Sequence, residues 1–254
     1  MKEKLENYYK LYNQRKFVHP DPLEFLYNYS RKKDIEIVGI IASALAFGRV
    51  AQILKSVSFV LDTMGSSPSL YLQNTSCISI KKDFKGFVYR FVREKEIVAL
   101  LCALKNIYHD FGSLEDCFTC GVSREDETVF NGLVSFDEAL NKRSDDSFGY
   151  LFADPLKGSG CKRMNLFLRW MVRKDKVDLG LWEKIQPSKL IIPVDTHMHK
   201  IALKLCLTQR KQPNMKTALD ITRGFKDLSP DDPVKYDFSL TRFGIRGEMS
   251  LKDI

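Results

Sequence analysis

The stretch from Asp34 to Val60, DIEIVGIIASALAFGRVAQILKSVSFV, repeats its apolar residues at three- and four-residue intervals. That period belongs to helices that bury a face, and Gly48 reads as a break between two of them. The same period recurs downstream. Phe84 to His109 reads as one or two helices, and Ser135 to Leu140 and Phe148 to Leu151 as short ones. Cys161 to Lys174 (CKRMNLFLRWMVRK), Thr196 to Leu207 (THMHKIALKLCL) and Asn214 to Phe225 read as three more, the last beginning near Pro213. The alternation that marks strands is scarce, with SCISI and LIIPV the only candidates. The pattern predicts an all-α fold: one domain over residues 1–254 with two helical lobes. No repeat at the periods of solenoids or propellers is visible.

Composition excludes several classes. With 44% hydrophobic and 28% charged residues the chain resembles a folded globular protein, not a disordered one. No run approaches the ~20 apolar residues of a membrane helix. The opening MKEKLENYYK is charged and lacks the apolar core of a secretion signal. A cytoplasmic location, no membrane partner and a monomer are expected. The six cysteines are scattered, which does not suit a small secreted disulfide scaffold. Cys117 and Cys120 form one C-x-x-C, but no second pair accompanies them. Two ordinary thiols are expected there, and neither metal nor cofactor.

Charge is unevenly placed. Of the net +8, Lys162 to Lys216 alone contributes +9, from 13 Lys and Arg against 4 Asp and Glu. Such a basic stretch fits either a polyanion-facing surface or a merely solvated one.

Two motifs lie in or beside that stretch. The first is L-K-G-S-G-C-K-R, Leu156 to Arg163. Gly158 and Gly160 predict a tight turn just before a helix, whose amides and helix N-terminus suit an anion. The order of a nucleotide P-loop is missing. Lys162 stands in the first turn of that helix, and lysine acts as a nucleophile through its neutral amine. An ordinary interhelical turn with an exposed lysine is the plain alternative. The second motif is I-I-P-V-D-T-H-M-H-K, Ile191 to Lys200. Asp195 directly precedes an apolar-periodic helix, so it reads as an N-cap. A capping carboxylate is held rigidly, as an ion facing a developing positive charge must be. The D-T-H-M-H segment also looks like the first ligand pair of metal-dependent amidohydrolases, but no histidine follows His199. His197 and His199 are expected on the helix surface.

Together the motifs resemble the helix-hairpin-helix–Gly/Pro–Asp superfamily of DNA glycosylases, which includes endonuclease III and the 8-oxoguanine glycosylases. L-K-G-S-G-C-K is similar to the family hairpin L-P-G-V-G-x-K, and I-P-V-D-T-H-M-H-K-I to the family's V-D-T-H-V-x-R-V. The likeness spans Leu156 to Lys216. Its 33-position separation of Lys162 from Asp195 is nearest to the archaeal 8-oxoguanine branch. The cysteine cluster that holds iron–sulfur in endonuclease III is absent. The whole-chain pattern, from HPDPLEFLY to DFSLTRFGI, looks like a bacterial family at the superfamily's edge.

The resemblance implies a two-lobed helical fold, with a helix-hairpin-helix and catalytic aspartate segment over 156–216. It implies excision of an oxidised purine such as 8-oxoguanine from double-stranded DNA, without a cofactor or metal. Lys162 would be the nucleophile, with lyase activity following, and Asp195 the essential carboxylate. Gly158, Ser159, Gly160, Arg163, His197, His199 and Lys200 would contact DNA. Phe47, Arg49, Gln52, Phe167 and Trp170 are candidates for the wedge or base pocket. A non-catalytic nucleic-acid-binding module is the alternative, and a metal-dependent hydrolase the third reading.

Overall fold

The computed structural model describes residues 1–246, and side chains through Arg242. In chain order the helices are α1 (Lys2–Tyr12), α2 (Lys32–Ala44), α3 (Val50–Met64), α4 (Pro68–Asn74) and α5 (Cys77–Asp83). A two-stranded hairpin follows, β1 (Val88–Tyr89) and β2 (Val92–Arg93). Then come α6 (Glu94–Phe111), α7 (Leu114–Thr119), α8 (Phe130–Lys142), α9 (Lys162–Val172), α10 (Thr196–Lys204), α11 (Met215–Leu228) and α12 (Asp237–Arg246). Short 3-10 turns occupy Arg15–Phe17, Pro22–Asn28, Pro155–Lys157 and Pro187–Lys189. The protein is mostly helical, and β1–β2 is the only sheet among the described residues. No helix among those residues is long and apolar enough to cross a membrane.

The chain divides into two compact units. Unit 1 comprises 1–19, 125–130 and 154–254; unit 2 comprises 20–124 and 131–153.

Unit 2 is organised around α2, buried from Asp34 to Ala44. Its all-round apolar composition explains that burial. The 3-10 turn Pro22–Asn28, α3 and α4 pack against it. The two acids α2 carries inward are satisfied, as buried carboxylates must be. Asp34 Oδ1 accepts from Ser67 Oγ at 2.9 Å and the Ser69 amide at 2.8 Å, and Glu36 accepts from the Tyr108 hydroxyl at 2.6 Å. The break between α2 and α3 falls where the sequence places it, with Gly48 at φ 97°.

Three expectations fail in this unit. Phe84 to Arg93 is not helix: Arg90, at φ 53°, helps turn the chain and pairs Val88 with Arg93 and Tyr89 with Val92. SCISI forms α5 instead of a strand, because Ser76 Oγ accepts from the Ser79 amide and caps it. Phe148 to Leu151 is a turn through Gly149 at φ 53°.

Unit 1 buries α9 deeply, with Phe167, Leu168, Trp170 and Met171 fully enclosed. α12 packs against both α1 and α10. Glu6 accepts from Lys235 Nζ at 2.7 Å and the Tyr236 hydroxyl at 2.6 Å, which ties the first helix to the approach to the last. LIIPV is extended, but no strand among the described residues pairs with it; the Ile192 amide instead donates to Thr222 Oγ1 at 3.0 Å.

Candidate functional site

The hairpin motif begins with a single 3-10 turn, Pro155–Lys157, and not a full helix. Gly158 then takes φ 80°, where a side chain would be strained. The Ser159 backbone forms an antiparallel bridge with Asn214, and the Met215 amide donates to the Gly158 carbonyl at 3.0 Å. Asn165, one turn into α9, donates from Nδ2 to the Gly160 carbonyl at 3.1 Å. The turn is thus clamped from α9 and from the start of α11. Gly160 has ordinary room: a Cβ there would meet Pro213 and Asn214 backbone atoms at 3.5 Å.

Cys161, in the left-handed region at φ 44°, precedes α9 and gives it no side-chain cap. The N-termini of α10 and α11, by contrast, are capped by Asp195 and Asn214. The first-turn amides of α9 therefore emerge beside the hairpin and the root of Lys162, an arrangement suited to an anion.

Asp195 caps α10 as its position predicts. The amides of His197 and Met198 donate to its Oδ1 at 2.9 and 2.8 Å. Its other oxygen, Oδ2, lies 3.7 Å from Lys162 Nζ. Both side chains are partly exposed, at 36% for Lys162 and 26% for Asp195, so a ligand has access to the pair. One carboxylate thus fixes a helix start with one oxygen and faces an amine with the other.

The remaining expected residues divide. Arg163 stands beside Lys162 in the first turn of α9, and His197 and Lys200 are exposed on α10. His199 does not belong with them. It is 8% exposed, and its Nε2 donates to the Arg210 carbonyl at 2.7 Å, a structural bond. The helix turns position 199 inward with Met198 and Ala202, which sequence spacing alone left open. The second ligand that a D-x-H-x-H metal site would need is therefore committed to the backbone. No group of three or more potential ligands is placed to hold a metal among the described residues.

Phe167 and Trp170 belong to the core of unit 1. Both are 0% exposed, and Phe167 meets Trp182 edge-on at 5.3 Å. Phe47, in unit 2, is held between Tyr89 and Tyr150, with ring centres 4.9 and 4.8 Å away. Arg49 and Gln52 are exposed at the start of α3. Cys117 is buried in α7, which pushes its thiol up to about 11, against the thiolate that metal or redox chemistry requires; Cys120 is exposed.

Sequence reading missed the charged network in the same unit. Arg169 on α9 pairs with Asp178 at 3.3 Å and with Asp237 at the start of α12. Arg173 pairs with Asp178 and reaches both oxygens of Asp232 at 2.9 Å. Arg169, Arg173, Asp178 and Asp237 are all at most 3% exposed. Burial pushes the Asp237 carboxyl up to about 6; Arg169 pulls it down, while the negative charges of Asp195 and Asp178 push it further up. Asp237 therefore sits in the field of the candidate carboxylate. The available signal was two arginines at the edge of an apolar helix, with Asp178 and Asp232 following in loops.

No curated protein and no solved structure matches the chain. One family model does, over residues 21–246, which takes in the hairpin, Lys162 and Asp195. The chain belongs to that family, described as protein of unknown function, DUF2400.

Proposed function

We propose that the protein excises a damaged base from DNA, with Lys162 as nucleophile and Asp195 as the carboxylate that supports it. The observation that carries this reading is the 3.7 Å approach of Lys162 Nζ to Asp195 Oδ2 beside an uncapped helix start. A hairpin with a following helix N-terminus is suited to a backbone phosphate. The helix-hairpin-helix–Gly/Pro–Asp glycosylase fold, the oxidised-purine substrate and double-stranded DNA as partner belong to the same proposal.

The steps follow from the two groups. The target nucleotide leaves the stack, as chemistry on a base buried within a duplex requires. As the bond from C1′ to the base lengthens, positive charge grows on the sugar, and the Asp195 carboxylate stabilises it. The Lys162 amine, its proton passed to Asp195 or water, adds its lone pair to C1′. The base departs with the bonding electrons and is protonated. Ring opening then gives a Schiff base between Nζ and C1′. Loss of a C2′ proton with departure of the 3′ phosphate is β-elimination, and water releases the amine.

Borohydride trapping tests the reading. The protein is incubated with duplexes carrying 8-oxoguanine, uracil, thymine glycol or an abasic site, then reduced. A covalent adduct that disappears in Lys162→Gln supports it. Salt-dependent binding to every duplex with no adduct and no base release would instead support a binding module.

A further inference from the structure

Unit 2 carries a groove that the Lys162–Asp195 chemistry does not use. It has a volume of about 430 Å³ and lies between α3 and the β1–β2 hairpin, with Arg49, Lys55, Phe59, Phe87 and Arg90 in its walls. That volume falls within the ~300–1,000 Å³ usual for ligand clefts.

The charged side chains that line it are all basic. Arg49, Lys55 and Arg90 are exposed, and none of them is in an ion pair among the described residues. The acids nearby in sequence have other partners. Asp62 accepts from Ser58 Oγ at 3.0 Å, Asp83 from the Tyr71 hydroxyl at 2.7 Å and Glu96 from the Arg93 amide at 2.7 Å. Glu94 accepts from the amide of Gly86, a wall residue, at 2.8 Å, and is in no ion pair with the three cations.

Aromatic rings stand beside these cations. Phe91, at the hairpin tip, is 63% exposed, and Tyr150 is 50% exposed, with their ring centres 5.3 Å apart. Phe59, 47% exposed, meets Phe87 at 5.7 Å. The Arg90 guanidinium lies 5.7 Å from the Phe91 ring centre. Arg90 packs over Gly48, where a Cβ would come within 2.8 Å of Arg90 Nη1.

Exposed rings beside uncompensated cations fit a polyanion whose repeating units carry flat faces. An acidic peptide would pair the cations but leave the rings without partners. A duplex would hide its base faces in its own stack. We propose that this groove and hairpin tip bind single-stranded nucleic acid. Arg49, Lys55 and Arg90 hold phosphates, and Phe59, Phe91 and Tyr150 stack against unpaired bases. The site goes beyond base excision and does not depend on Lys162 acting as a nucleophile.

Fluorescence anisotropy of the full chain with a labelled oligothymidylate of about 15 nucleotides, near the upper site size of single-strand folds, tests it. Arg49→Glu with Lys55→Glu should weaken binding tenfold or more. It should also flatten the dependence of log affinity on log salt by about 1.4, the single-strand value for two phosphates. Phe91→Ala should weaken binding about tenfold with the salt slope unchanged, since it removes stacking and not charge. Circular dichroism of each variant verifies the fold. Wild-type affinity in the folded double variant would overturn the proposal. So would displacement of the oligonucleotide by polyglutamate as readily as by unlabelled strand. A missing borohydride adduct alongside these shifts would count against base excision alone.

Discussion

Lys162 Nζ stands 3.7 Å from Asp195 Oδ2, although 33 positions separate them in the chain. Two different devices bring them together: a hairpin clamped by Asn165 and Asn214, and a helix started by Asp195 itself. Because Asp195 has both jobs, substitutions can separate them. Asp195→Asn keeps an oxygen for the His197 and Met198 amides, so stability should change little. Loss of the charge should cut base release by about 100-fold or more. Asp195→Ala should lose both, with about 1 kcal/mol of stability going with the cap. Denaturant unfolding alongside single-turnover base release reads the two effects separately.

The two hairpin glycines should respond unequally. Gly158→Ala places a Cβ on a backbone at φ 80° and should cost about 1–2 kcal/mol. Gly160→Ala meets only ordinary contacts at 3.5 Å and should change stability by under about 0.5 kcal/mol. Thermal unfolding of the two variants checks the difference. A selective loss of DNA affinity in Gly160→Ala would then report backbone approach by a phosphate.

Much of this was legible in the sequence because it is local. The period of Asp34–Val60, the break at Gly48 and the cap at Asp195 each depend on a few neighbouring residues. The pairing of Lys162 with Asp195 was legible only through resemblance, since no local pattern brings positions 162 and 195 together. What stayed hidden is set by tertiary partners. His199 turns inward to a carbonyl eleven positions away, and Asp237 meets Arg169 across 68 positions. The β1–β2 hairpin was read as helix because its short strands hold too few residues to show a period of two.

The buried network makes stability depend on pH in a definite direction. The folded-state carboxyl of Asp237, pushed up to about 6, lies above its ordinary value of 3.8. Between those values the unfolded chain is ionised there while the native chain still holds the proton. This group's contribution is therefore full below about 4 and is lost as pH rises through about 6. Asp237→Asn removes that titration. The stability of the variant relative to wild type should rise between pH 4 and 7 and then level off, as measured by urea unfolding across that range.

Arg173 should be among the costliest residues to remove. Arg173→Ala leaves Asp178, 2% exposed, with only Arg169, and strips Asp232 of a two-oxygen partner. Breaking one side of such a buried pair costs about 3–5 kcal/mol. Arg173→Met, which fills the space without the charge, should recover little of that loss. Chemical denaturation at pH 7 checks both.

Unit 1 draws on segments that flank unit 2 in the sequence, with α1 anchored to Lys235 and Tyr236 through Glu6, and Ser159 bridged to Asn214. During synthesis Asn214, Lys235 and Tyr236 leave the ribosome after all of unit 2. The first helix must wait unanchored, and the lysine-bearing turn cannot settle until the start of α11 has emerged. All of unit 2 lies between α1 and Ser159 and can close while translation continues. A nascent chain stalled before residue 214 should therefore carry a protease-resistant unit 2 and a cleavable α1.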